Sequence, residues 1–260
     1  MLRSRVVRVA LIGVAVLVAG WLVVRQVAGS SDPVSDREAL ATFTTAARGT
    51  VPTGGPVPGV YRYRATGTER GGAGPLVVSR GLPAEARLVV TAHDGGWQAE
   101  VSYSRQHIEG ARYVLRDGAI RVTWRRTKVT FAGFGRDDRR SVTPPSVFLP
   151  VRPEVGANWV EEYRTGDISV RAESRILRRE RMTVAGERLE TLVLESRSTT
   201  SGAHPGIRTE TLWWSPALGL PVRWNVDMDI GGVFAFKARS SLVLRATAPV
   251  TSADPPPGDR

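Results

Sequence analysis

Three histidines, His93, His107 and His204, are the whole imidazole complement, and no two lie closer than fourteen residues apart. A zinc centre or a nucleophilic triad would have to assemble from distant parts of the chain, with no recognisable set of partner ligands around any of the three. His93 precedes Asp94 at a hairpin turn and His204 opens a His204-Pro205-Gly206 loop, so the expectation is solvated or turn-capping histidines. Asp227 and Asp229 share one strand face, a spacing that could serve glycoside hydrolysis or calcium binding. In so basic a chain, the expected role of the pair is cross-strand charge pairing. GxSxG, SxxK and a phosphate-cradling glycine loop are all missing, and the cysteine count of zero excludes disulfides, thiolate chemistry, iron-sulfur clusters and a lipidated cysteine. No catalytic residue, metal ligand or cofactor is therefore expected. The remaining chemistry is aromatic. Trp97, Trp124, Trp159, Trp213, Trp214 and Trp224 are many large rings for one domain, and most are expected in the core. Adjacent residues on a strand face opposite ways, so Trp213 and Trp214 cannot both point inward. One of them is expected to be exposed, shield an edge or line a groove, and the candidate ligand-binding set is Trp213, Trp214, Trp224, Phe234 and Phe236.

The elements that must position these rings are strands. Thr209 to Asp229 reads as strand, turn, strand, with Ser215-Pro216 opening the reversal and Gly219 free to take positive φ. Trp97, Ala99, Val101 and Tyr103 share a face across the Asp94-Gly95-Gly96 turn, and Ile120, Val122 and Trp124 oppose Arg121, Thr123 and Arg125 after Asp117-Gly118. Period-two alternation continues to Ala246, giving about a dozen strands joined by turns too short for crossover helices. The fold expected is all-β: one strongly curved antiparallel sheet or half-barrel over residues 59–248. Arg136 to Pro145 (RDDRRSVTPP) reads as a long polar loop between an earlier and a later half of that sheet.

Ahead of the sheet, Ser35 and Glu38 form a capping box for a short helix from about Asp36 to Arg48, within a juxtamembrane segment 30–58 that ends in a proline-glycine linker. Residues 1–29 direct the chain to a membrane. Sixteen uncharged residues, Val9 to Val24, lie between Arg8 and Arg25. They would rise about 24 Å as a helix, short of a hydrocarbon core of about 30 Å. Snorkelling arginines extend the usable span to residues 6–28. The upstream Arg3, Arg5 and Arg8 argue for a cytoplasmic N-terminus and an extracytoplasmic sheet domain. The alternative is a cleaved secretory signal ending at Val27-Ala28-Gly29, a site that Trp21, Arg25 and Gln26 make poor. Residues 249–260 read as a disordered, proline-rich tail. The formal charge is +11; setting aside Arg3, Arg5, Arg8 and Arg25 leaves 32 basic side chains against 25 acidic ones. A dispersed +7 suits anionic lipid headgroups or wall polymers, and no basic arm, helix-turn-helix or zinc spacing points to nucleic acid.

Three stretches, FLPVRPEVGANWVEEYRTGD, MTVAGERLETLVLESRS and TETLWWSPALGLPVRW, resemble a pattern of uncharacterised bacterial extracytoplasmic β-domain families. The landmarks are Pro150, Gly156, Trp159, Val184, Gly186, Leu192, Leu194, Trp213, Pro216, Gly219, Pro221 and Val222. In outline the domain is similar to the LolA/LppX-type lipoprotein half-barrel. That resemblance implies a concave apolar groove under covering helices, although this chain offers one obvious helix and no lipid-attachment cysteine. The function expected is non-catalytic binding of a lipid or other apolar or amphipathic envelope component, with a structural or regulatory protein-protein module as the alternative and a wall-active hydrolase a lesser one.

Overall fold

The computed structural model describes residues 31–46, 49–74, 76–131 and 134–252. The expected membrane segment, residues 6–28, lies outside these, as do residues 253–260 of the expected tail. Among the described residues no helix is long and apolar enough to cross a membrane.

Helix α1 (Asp36–Ala46) begins at the expected box. The Ser35 N–H donates to Glu38 Oε2 at 2.9 Å and the Glu38 N–H donates to Ser35 Oγ at 3.3 Å, so two orphan amides are satisfied reciprocally. The Ser35 amide, followed by the Arg105 guanidinium, lowers the Glu38 carboxyl to about 2. Ala39 and Leu40 bury against Val60 and Val89, which fixes the helix on the outside of the sheet. It covers no groove, in contrast to what the LolA/LppX resemblance implies.

Among the described residues thirteen strands follow: β1 (Gly59–Ala73), β2 (Leu76–Gly81), β3 (Glu85–His93), β4 (Gly96–Ser104), β5 (His107–Arg116), β6 (Ala119–Phe131), β7 (Phe134–Pro150), β8 (Asn158–Thr165), β9 (Ile168–Val184), β10 (Glu187–Gly202), β11 (Gly206–Ser215), β12 (Leu220–Ile230) and β13 (Ala235–Leu244). All pair antiparallel with their neighbours. The turns carry the expected chemistry. Asp94 and Gly95, like Asp117 and Gly118, all have positive φ, as a two-residue hairpin requires, and Gly219 sits at φ 63°.

The sheet is a closed barrel rather than the expected half-barrel. β1 pairs with β13 in continuous register from Tyr63↔Leu244 to Gly72↔Ala235, which joins the two ends of the meander. Twelve strands form the ring. β2 lies outside it, pairing Thr68–Ala73 of the same β1 whose first residues pair with β3. Closure satisfies the edge amides and carbonyls that an open sheet of this length would leave bare. No local signal announces it, because the pairing joins residues some 180 positions apart in sequence.

Two further expectations are corrected. Arg136 to Pro145 is not a loop but the middle of β7, whose alternation sends Asp137 and Arg139 outward and turns Arg136 and Val142 toward the interior. Arg126 grips Asp137 bidentately at 2.9 and 3.0 Å, while Val142 and Ser146 are buried. A polar stretch can thus be a strand when every second charge finds a cross-strand partner. Against β5, Arg112 pairs with Trp124 but Tyr113 with Val122, so β6 carries one extra residue at that register shift; Val122 remains inside while Trp124 turns out under the Arg112 guanidinium, 4.6 Å from its ring. The shift sends Arg125 inward instead.

The ladder is thinnest between β7 and β8, where Thr143↔Arg164 is the one paired position; Trp159 Nε1 bridges the same seam to the Val147 carbonyl at 3.2 Å.

Candidate functional site

The inward residues leave a cavity inside the barrel, with about 110 Å³ open to the centres of water-sized molecules. One water needs roughly 10–15 Å³ of such space, so the site has room for several waters or a small organic group. Its walls are mainly apolar: Leu88, Trp97, Tyr113, Phe148, Trp214 and Leu242 are among the lining residues. Trp97 stacks on Tyr113 with centroids 5.4 Å apart, and Phe148 meets Trp214 edge-on at 5.2 Å. These rings hold one another in fixed orientations, and so hold the shape of the space between them.

Polar groups interrupt this lining, among them the charged Glu109, Arg125, Glu161, Glu195, Arg208 and Glu210. Some belong to a buried chain of charges that crosses from β2 to β11. Arg80 donates to Glu69 at 2.8 Å and to the Thr130 carbonyl at 2.7 Å, with its guanidinium 3.9 Å over the Phe131 ring. Glu69 in turn bonds His107 Nδ1, and His107 Nε2 donates to Glu109 at 3.2 Å. Arg208 clasps Glu109 bidentately at 2.9 and 2.7 Å and donates to Glu210 at 2.7 Å. His107 also stacks on Tyr103, centroids 4.5 Å apart, and meets Phe236 edge-on.

The electrostatics follow from this geometry. Burial alone would push the His107 imidazole down, but Glu69 and Glu109, one at each ring nitrogen, override it and raise the group to about 9. For Glu109, burial works to raise the carboxyl, and the Arg208 and His107 cations win, leaving it well below the ordinary carboxylate range. Glu69 is lowered by the same balance, with His107 and Arg80 prevailing over burial. At neutral pH the chain is alternately charged from Arg80 to Glu210.

His107 is therefore a correction: it is neither solvated nor a turn cap but 2% exposed in the protein interior. The signal that could have found it is the alternation of HIEGARY, which puts His107 and Glu109 on the same face as Ala111 and Tyr113. Its two carboxylate partners make it a paired interior cation, and among the described residues no cluster of ligating side chains could hold a metal.

The structure divides the aromatic set read from the sequence. Trp214 and Trp224 line the cavity. Trp213 faces the other way and is only 8% exposed, with Arg223 4.7 Å over its ring; of the three roles open to one of the pair (exposed, shielding an edge or lining a groove), the structure gives Trp214 the last. Phe234 and Phe236 pack with Val129, Phe131 and Met228 in a separate apolar cluster beside His107. Asp227 and Asp229 stand on the outer surface, each bonded to a cation directly across the ladder: Arg239 at 2.9 Å and Lys237 at 2.6 Å. They pair as the spacing and the local charge led one to expect.

No family model matches the chain, and no curated protein matches it. Among solved structures it is similar to the crystal structure of the hypothetical lipoprotein YmcC from Escherichia coli (K12). The identity is 12%, the alignment covers 83% of this chain and 100% of that one, and the TM-score is 0.37.

Proposed function

We propose that this barrel is a non-catalytic binding protein for a small apolar or amphipathic component of the cell envelope, held inside the ring of strands. The observation that carries the reading is the interior cavity, walled by interlocked aromatic rings and interrupted by a few convergent polar groups, the usual composition of a small-molecule site. The leader sequence supports an envelope location: the arginine-flanked apolar run ahead of residue 30 would leave the barrel on the outer side of the cytoplasmic membrane. The outward, ion-paired placement of Asp227 and Asp229 takes away the one carboxylate pair that the sequence offered for hydrolysis, since neither reaches the cavity.

Native mass spectrometry of the full chain, released from mild detergent, tests this. A bound molecule should accompany the wild-type protein and be lost from Ala111→Phe, whose added ring would occupy the cavity wall. A protein that carries nothing, or an adduct retained unchanged by that variant, would refute it.

A further inference from the structure

We infer that the cavity selects amphiphiles with an anionic head, and that Arg125 is the residue that receives it. The inference rests on the binding reading above and names the ligand class for the same cavity.

Interior charge bookkeeping leads there. Arg80, Glu69, His107, Glu109, Arg208 and Glu210 form a connected chain of three cations and three anions, which cancel. Arg136, the next cation toward Glu109, has Asp138 at 3.5 Å. Arg125 is left over. The bulge in β6 turns it into the cavity, no ion pair is formed by it among the described residues, and its Nε is buried with no hydrogen-bond partner. The field of Glu210 reaches it, and that of Arg208 opposes. Two further carboxylates line the cavity: Glu195 is held by Arg175 at 2.6 Å, and Glu161 forms no ion pair among the described residues, with Arg125 or any other cation.

A guanidinium facing an apolar space without a counter-ion is an unfavourable arrangement for the empty protein. A carboxylate or phosphate that enters gains a charge-assisted, fork-shaped set of hydrogen bonds. Arg208 cannot serve in this way, because Glu109 and Glu210 already occupy its donors. The apolar body of the ligand would lie among Trp97, Tyr113, Phe148, Trp214 and Trp224.

The test is calorimetric titration of the full chain in lipid nanodiscs with octanoate, octanol and octylamine, with heats from empty discs subtracted. Octanoate should bind about tenfold more tightly than octanol, the ratio expected of one charge-assisted contact worth about 1.4 kcal/mol, and octylamine should bind most weakly. Arg125→Met should keep octanol binding and erase the advantage of octanoate. Should that variant not fold, the wild-type ranking decides alone. Octanoate and octanol binding equally, or an advantage that survives Arg125→Met, would overturn the inference and leave the cavity reading standing. Binding of none of the three would overturn both.

Discussion

Raising the pH should loosen this barrel before any arginine or tyrosine titrates, and the cause would be a single imidazole. His107 is 2% exposed between Glu69 and Glu109, which raise it to about 9, whereas in the unfolded chain it titrates near the ordinary 6.5. Between those two values the folded state holds a proton that the unfolded state has lost. By linkage, stability falls with rising pH across that window. The contribution is fully present below 6.5 and gone above about 9. At about 1.4 kcal/mol per pH unit the gap amounts to about 3 kcal/mol, a large share of the 5–15 kcal/mol that usually separates folded from unfolded domains. Other described groups with raised values stay out of the way: Tyr61 and Tyr113 are each held at about 12 by burial. The assay is urea unfolding followed by tryptophan fluorescence at half-unit steps from pH 6 to 9.5, on the wild type and on His107→Gln. The wild type should lose about 3 kcal/mol over the series, and the variant, lower at every pH, should be flat through the same window. A wild-type profile without slope, or a variant that keeps it, would show that His107 is not the buried cation the geometry makes it.

Two other outcomes follow from the same interior. Arg208→Met strips Glu109 of its bidentate partner and should cost about 3–5 kcal/mol in urea unfolding, while adding Glu109→Gln should recover part of that loss; a double variant as unstable as the sum of the singles would deny the coupling. Gly67 has φ 146°, and a Cβ there would lie 2.1 Å from the Arg239 carbonyl oxygen on β13, so Gly67→Ala should strain the closing seam of the barrel. A loss of about 2–4 kcal/mol is expected, together with faster amide exchange of residues 63–72 than of β9 and β10, and an unchanged exchange pattern would count against closure at that seam.

What the sequence determined by itself is local. The alternation of apolar and polar residues, the Asp-Gly turns and the S-x-x-E box are short-range signals, and they yield the strands, hairpins and helix start that the structure contains. Asp227 and Asp229 were legible for the same reason, since a cross-strand cation is a matter of hairpin register. Tertiary structure alone decided the rest. The pairing of β1 with β13 joins opposite ends of the domain, so whether the sheet stays open or closes is invisible to any local window. The bulge at Val122/Trp124 depends on how β6 accommodates both neighbours, and by a one-residue slip it exchanges Trp124 for Arg125 on the cavity wall. His107 became an interior cation because closure brings Glu69 of β1 and Arg208 of β11 onto β5 from either side. Charges so far apart in the chain find one another only when the ring of strands has excluded the water between them.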